Sequence, residues 1–335
     1  MIFVTGGTGF LGAHLLAKLS YSDKKIIASK RTSSDLGYAK KVFDIYAPGN
    51  FEKISWVDVD FFDTYELEDL LHNIEEVYHC ASQVSFHEKD HDKMIKNNVT
   101  ITGNLVDAAL FCGIKKFMFA SSVAALGRSA QAEIIDESRI WKTDPVNTKY
   151  GLSKYKSEME VWRGYEEGLP VIVVNPSMIL GYCRWTEGTG RMFEKAYNGM
   201  KFYTKGYTGW VDVNDVCDCM IRLMQKETFG ERYVVVSETQ PYRQIFDWMA
   251  EALNKPKAQK PANMNMAKWL VRVEKIRSKL SGKEPLITTE TLRNASLECT
   301  YVNDKIKKEL NFTFKPVKQT IEETANLFKR DKGIN

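Results

Sequence analysis

The stretch Met1-Ile2-Phe3-Val4-Thr5-Gly6-Gly7-Thr8-Gly9-Phe10-Leu11-Gly12 decides the fold. A short apolar strand runs straight into spaced glycines. Residues 10–19 then follow a helical pattern, with Leu11, Leu15, Leu16 and Leu19 on one side. The glycines fit G-x-x-G-x-x-G through Gly6, Gly9 and Gly12, and also G-x-G-x-x-G through Gly7, Gly9 and Gly12. One glycine permits the tight turn after the strand, and the next lets the backbone approach a pyrophosphate. The last lets the helix pack on the sheet with its N-terminus towards the phosphates. Glycine strings are common in loops; the strand before and the helix after make this one a dinucleotide signal.

Working outward, strand and helix patterns alternate through the first half of the chain. Strands are expected at 26–29, 54–59, 77–80, 117–121 and 171–175, with helices notably at 93–112 and 149–167. Such alternation predicts an α/β protein with a doubly wound parallel sheet and helices on both faces. After Pro176 the pattern breaks into shorter pieces. We therefore expect a dinucleotide-binding domain over 1–176. Residues 177–335 should form mainly a smaller substrate-binding C-terminal lobe, with some segments returning to the sheet. The stretch 254–286 carries Pro256, Pro261 and Pro285 around an expected amphipathic helix at 266–280, and it reads as a lid or a connector.

Composition narrows the function classes. At 335 residues, 44% hydrophobic and 27% charged, the chain is of globular type. A net charge of +4 with cations spread along the chain, in mild excess after Lys255, does not suggest a nucleic-acid partner. No apolar run spans a bilayer, and the chain starts inside its first strand, so no membrane contact and a cytoplasmic location are expected. The cysteines Cys80, Cys112, Cys183, Cys217, Cys219 and Cys299 form no Cys-x-x-Cys and have no histidine at ligand spacing. They read as free thiols, and no metal is expected. The five histidines form no ligand cluster; His79 ends a buried strand, and His87 and His91 read as solvated or, alternatively, as lining the pocket.

Two groups of residues carry possible chemistry. Lys149-Tyr150-Gly151-Leu152-Ser153-Lys154 holds Tyr-x-x-x-Lys, whose ends share a helix face. An ammonium there should lower the phenol's pKa and make it a general acid and base. The spacing recurs at Tyr21/Lys25, Tyr197/Lys201 and Tyr301/Lys305. Tyr150 is selected by its place at the start of the helix after the fifth strand. Ser121-Ser122 ends that strand, where a hydroxyl faces the ligand crevice and can bond a carbonyl oxygen. A turn or cap serine is the alternative.

At this point the chain resembles the extended short-chain dehydrogenases/reductases of the epimerase/dehydratase superfamily, a Rossmann-fold group. The resemblance spans nearly the whole chain. It rests on Thr5 to Gly12, the acid in Val57-Asp58-Val59-Asp60, His79-Cys80-Ala81-Ser82, Asn97-Asn98-Val99, Ser121-Ser122, Tyr150/Lys154 and Asn175-Pro176-Ser177. It implies that Ser122 orients the substrate oxygen, that Tyr150 transfers the proton, and that Lys154 also bonds the nicotinamide ribose. It implies a cofactor site drawing on Gly6, Gly9, Phe10, Leu11, Gly12, Lys30, Arg31, Asp60, Phe61, Ala81, Ser82, Asn98, Lys154, Asn175, Pro176 and Ser177. Asp60 and Ala81 would flank the adenine and the phosphates. Dehydratases of the group resemble S-T-D-E-V-Y-G at the serine strand, whereas here Val123 and Ala124 stand where the acid pair would be. Leu126 also breaks the V-Y-G of epimerases. The segments 174–181, 209–216 and 285–288 are similar instead to the carbonyl-reductase branch that includes dihydroflavonol-reductase-like proteins.

The second strand addresses the cofactor. Lys30-Arg31-Thr32-Ser33 follows it, with no acid before Asp35. An acid there would hold a ribose 2′-hydroxyl, while cations suit a 2′-phosphate. We therefore expect NADP(H), with NAD(H) possible. The expected activity is reduction of a ketone or aldehyde, a small-molecule carbonyl substrate. A nucleotide-sugar epimerase holding NAD is the alternative, and a non-catalytic NADP sensor a further one. Surplus apolar residues Val99, Leu105, Val106, Ala109, Leu110, Met159 and Trp162 suggest a possible homodimer through two helices.

Overall fold

The computed structural model describes residues 1–85, 87–129, 131, 133–262, 293 and 295–334. The amphipathic pattern at 266–280, most of the suspected lid and the segment 285–288 lie outside the described residues. The first half alternates as β1 (Ile2–Thr5), α1 (Phe10–Leu19), β2 (Ile26–Lys30), α2 (Gly37–Tyr46), β3 (Ile54–Asp58), α3 (Thr64–Leu71), β4 (Glu76–His79), α4 (His91–Phe111) and β5 (Lys116–Ala120). A short strand β6 (Glu133–Ile135), α5 (Lys149–Glu166) and β7 (Val171–Pro176) follow. The second half adds β8 (Met178–Leu180), α6 (Gly190–Tyr197), β9 (Phe202–Tyr203), β10 (Tyr207–Asp212), α7 (Val213–Lys226), β11 (Glu231–Val235), β12 (Glu238–Pro241) and α8 (Tyr242–Ala252).

The central sheet has seven strands in the order β11-β7-β5-β4-β1-β2-β3, and every pairing in it is parallel. The chain winds outward from β1 to β3, then crosses back to place β4 on the other side of β1. That reversal opens a crevice at the carboxyl ends of β1 and β4, where ligands bind in such sheets. Side chains alternate across the sheet, as the two-residue period of a strand requires. Ile2, Val4, Met118, Ala120, Ile172 and Val174 join one apolar core. Phe3, Val77, Phe117, Phe119, Val171 and Val173 join the other. Both faces are therefore covered, which is why these strands read as unbroken apolar runs.

Among the described residues, the strands and helices expected from sequence are present, with ends moved by a residue or two. The seventh strand, β11, is the segment of the second half that returns to the sheet, pairing from Glu231 opposite Ile172 to Val235 opposite Pro176. A separate three-stranded sheet, β12-β10-β8, packs with α6, α8 and helix Val317–Lys332 around Phe193, Trp210, Ile245 and Phe328.

One expectation needs correction. Leu105, Val106 and Ala109 are not surplus: they are fully buried against the sheet. Leu110 and Trp162 also pack on that core. The cause is the close pairing of α4 with α5, which share one underlying apolar layer. Of the apolar residues invoked for a dimer, Met159 is the one left exposed. No helix of the described residues is long and apolar enough to cross a membrane, and all six cysteines are free.

Candidate active site

The glycine turn is built by steric exclusion. Gly6 has φ +70°, and a Cβ on it would stand 2.7 Å from the backbone nitrogen of Ala81. A Cβ on Gly12 would stand 2.2 Å from the Gly6 carbonyl oxygen. The turn is thus pressed between the exit of β4 and the first turn of α1, and only glycine fits either position. Gly9 differs: a Cβ there would meet only the Gly6 oxygen, at 3.2 Å. Its outer face is bare backbone in the crevice, beside the uncapped, acid-free N-terminus of α1. That is the cradle a dinucleotide pyrophosphate needs, and the residues present fit it. Thr5 ties the turn to β4, since its Oγ1 accepts from the Ala81 N–H at 3.0 Å and lies 2.7 Å from His79 Nδ1. Burial pushes His79 down to about 3, so it serves as a neutral strut between β1, β4 and Thr102 of α4.

Beyond β5 the chain turns through Ser121 and Ser122 into a single 3₁₀ turn, Val123–Leu126. The Ser122 hydroxyl takes the cap role considered from sequence. It caps that turn, accepting from the Ala124 N–H at 3.2 Å, and it lies beside the Tyr150 phenol, whose pKa it pulls down. Tyr150 stands in the first turn of α5, whose N-cap Thr148 accepts from the Gly151 N–H at 2.7 Å. A Cβ on Gly151 would stand 2.7 Å from the Ala124 oxygen. Glycine beside the tyrosine is therefore what lets α5 approach the serine turn closely enough for the two hydroxyls to meet.

The expected effect of Lys154 on this phenol is not found. Lys154 follows Tyr150 by one helical turn, but its Nζ donates to the Ala120 carbonyl at 2.8 Å and sits 5.0 Å over the Phe119 ring. Burial pushes the phenol up to about 12, opposed by the Ser122 hydroxyl. The same loss of water pushes the Lys154 ammonium down to about 8, opposed by Cys80 and Glu158. In this site desolvation outweighs the charge pair.

Sequence reasoning missed a buried carboxylate under the site. Glu158, one turn beyond Lys154, is 1% exposed. Its Oε2 accepts from the Ser121 hydroxyl at 2.7 Å and from Asn175 Nδ2 at 3.0 Å. Its Oε1 accepts from Arg232 at 3.1 Å and from Trp162 Nε1 at 3.3 Å. Asn175 also donates to the Ser122 carbonyl at 3.1 Å. The spacing Tyr150, Lys154, Glu158 was visible as one helix face; its partner on β11 was not.

Other predicted residues are placed as follows. Asn98 is occupied by protein: it bonds the Gln83 backbone at both ends of its amide and reaches Ser153 Oγ at 2.9 Å. It pins the loop carrying Ala81 and Ser82 to α5. Asp60 turns its own loop by accepting from the Phe62 N–H at 2.9 Å, and the neighbouring Phe61 is half-buried. Pro176 ends β7 and Ser177 is buried behind it. Phe10 and Leu11 open α1 beside the cradle. At the end of β2, Arg31 is exposed. Lys30 faces an acid that the linear reading did not see, because β2 pairs in register with β3 and sets Lys30 opposite Asp58. Lys30 Nζ is 3.9 Å from Asp58, which also accepts from the Thr32 hydroxyl. Among the described residues, no group of three His, Cys, Asp or Glu side chains could hold a metal ion.

With this geometry in hand, comparison with known proteins is specific. The sequence profile described as the NAD dependent epimerase/dehydratase family matches residues 2–236. Sterol demethylase protein B of Methylococcus capsulatus is 30% identical over 76% of this chain and 75% of its own. The NADPH-dependent methylglyoxal reductase GRE2 of Saccharomyces cerevisiae is 22% identical over 99% of both chains. Dihydroflavonol 4-reductase of Zea mays is 22% identical over 70% of each. Among solved structures, that of gox2253 superposes with a TM-score of 0.79 at 26% identity, covering 100% of this chain and 99% of that one.

Proposed function

Because the chain belongs to the NAD dependent epimerase/dehydratase family, whose extended short-chain dehydrogenase/reductase members include its reductase-named relatives, we propose that this NAD(P)-dependent oxidoreductase reduces a ketone or aldehyde with NADP(H). The observation that carries the reading is the approach of the Tyr150 phenol to the Ser122 hydroxyl, which Gly151 permits by letting α5 close on Ala124. Two hydroxyls so paired bracket one carbonyl oxygen. The cofactor, when bound, supplies the hydride. Tyr150 holds its proton at neutral pH, since its phenol is pushed up to about 12, and gives that proton to the substrate oxygen. Ser122 orients the oxygen, and Lys154 stands one turn behind to bond the nicotinamide ribose. We place the dinucleotide site in residues 1–176 and the substrate lobe mainly in 177–335. Six free thiols fit a reducing, cytoplasmic setting.

NADP(H) is favoured by Arg31, by the lack of an acid from the start of β2 up to Asp35, and by the NADPH dependence named for the yeast relative. Asp58 offsets Lys30, so Arg31 should dominate the 2′-phosphate contact. Replacing Arg31 by Ala should weaken NADPH binding by about 1.5–3 kcal/mol, the range for a hydrogen bond to a charged group. NADH binding should be unchanged, and Lys30→Ala should cost less. Fluorescence titration of both cofactors checks this; equal wild-type affinities for NADPH and NADH would defeat the assignment. The activity itself is tested by NADPH consumption over aldehydes, ketones and nucleotide sugars, with an absorbance scan of the purified protein. Turnover is expected on a carbonyl compound with no retained cofactor. Retained NAD with interconversion of a nucleotide sugar would instead make the protein an epimerase.

A further inference from the structure

Arg184 comes from the second half of the chain, in the segment between β8 and α6, yet it reaches the glycine turn. One Nη2 edge donates to the Thr8 carbonyl at 3.2 Å. The guanidinium carbon lies 4.5 Å from the centre of the Tyr38 ring. That platform is itself fixed, because Tyr38 is buried and its hydroxyl donates to the Tyr182 carbonyl at 2.9 Å. Among the described residues, the Thr8 contact is the guanidinium's one hydrogen bond, and no carboxylate lies within ion-pair distance. Half of the planar fork is left without a protein acceptor.

The neighbourhood makes this arrangement costly by itself. The N-terminus of α1 carries its own partial positive charge, with no side-chain cap and no acid in its first turn. A half-buried cation beside it has no counter-charge. An anion between them would satisfy both, and arginine is the side chain whose fork matches a phosphate. The position along the crevice narrows which phosphate. Tyr38 stands in the first turn of α2, which opens directly after the loop that carries Arg31. Arg184 therefore bridges the glycine turn, at Thr8, and the start of α2, at Tyr38. We propose that Arg184 is the second cationic contact to the 2′-phosphate of NADP(H), delivered from the substrate lobe. This rests on the reading of NADP(H) as the cofactor and names a residue that holds it.

The test is a binding titration of NADPH, NADH, 2′,5′-ADP and 5′-AMP against wild type, Arg184→Met and Arg184→Lys, read by intrinsic fluorescence. Arg184→Met keeps an unbranched apolar stem against Tyr38 and removes the charge. It should weaken NADPH and 2′,5′-ADP by roughly tenfold or more, leave NADH and 5′-AMP within a small factor of wild type, and leave the melting temperature unchanged. Arg184→Lys should recover part of the loss. If Arg184→Met keeps the wild-type preference for NADPH over NADH, or weakens both equally, the inference is overturned while the cofactor reading stands. If wild type itself shows no preference, the cofactor reading fails and the inference fails with it.

Discussion

Tyr150→Phe should lower kcat by about 10²–10⁴-fold, the contribution of a positioned general acid, while NADPH affinity stays at the wild-type value. The substitution deletes one oxygen. The ring remains in the first turn of α5, and Gly151 still allows that turn to approach Ala124. The deleted oxygen is the one beside the Ser122 hydroxyl. Ser122 still accepts from the Ala124 N–H, so the serine turn keeps its shape and the loss falls on proton delivery. Steady-state kinetics on the carbonyl compound found by the screen, beside an NADPH titration, separate the two effects. A Phe variant with near wild-type kcat would remove Tyr150 from the mechanism. A variant that loses cofactor affinity as well would mean that the phenol holds the cofactor.

Arg232→Ala should destabilise the fold by about 3 kcal/mol, because it leaves the buried Glu158 carboxylate without the partly exposed guanidinium that faces it. Arg232 does more than face Glu158. Its Nε donates to the Glu137 carbonyl at 2.8 Å and its Nη2 to the Arg139 carbonyl at 2.6 Å. Without it, Glu158 keeps Ser121, Asn175 and Trp162 as donors but has lost its countercharge, and two loop carbonyls are left open. The effect should reach the active site, because Ser121 precedes Ser122 and Asn175 bonds the Ser122 carbonyl. Urea unfolding gives the stability; an unchanged midpoint and slope would show that water replaces the guanidinium at no cost.

What the sequence revealed was local. The turn from Thr5 to Gly12 is legible because strand, turn and helix are contiguous, and each glycine answers a steric demand of its near neighbours. The alternating cores of β1, β5 and β7 are legible for the same reason. What stayed hidden was set by pairing between distant segments. Asp58 meets Lys30 because β2 and β3 align in parallel register, which no inspection of residues 26–35 exposes. Glu158 stood in plain view on the face of Tyr150 and Lys154, but its partner is on β11, a strand returned from the second half of the chain. The pKa of Tyr150 was misjudged because spacing reports which groups are near, whereas burial decides which influence prevails. Arg184 was likewise unreadable: only packing of the segment after β8 on the first half brings it to Thr8.

The measurement that tests the central claim most directly follows the hydride. NADPH carrying deuterium at the transferred C4 position is supplied with the carbonyl compound, and the product is analysed by mass spectrometry and NMR. If Ser122 and Tyr150 hold a carbonyl for net reduction, the alcohol carries the deuterium on its carbinol carbon, one for each NADPH oxidised, and Tyr150→Phe forms labelled product more slowly by the factor given above. Product formed without label, or NADPH that is not consumed while a sugar centre inverts, would contradict the account.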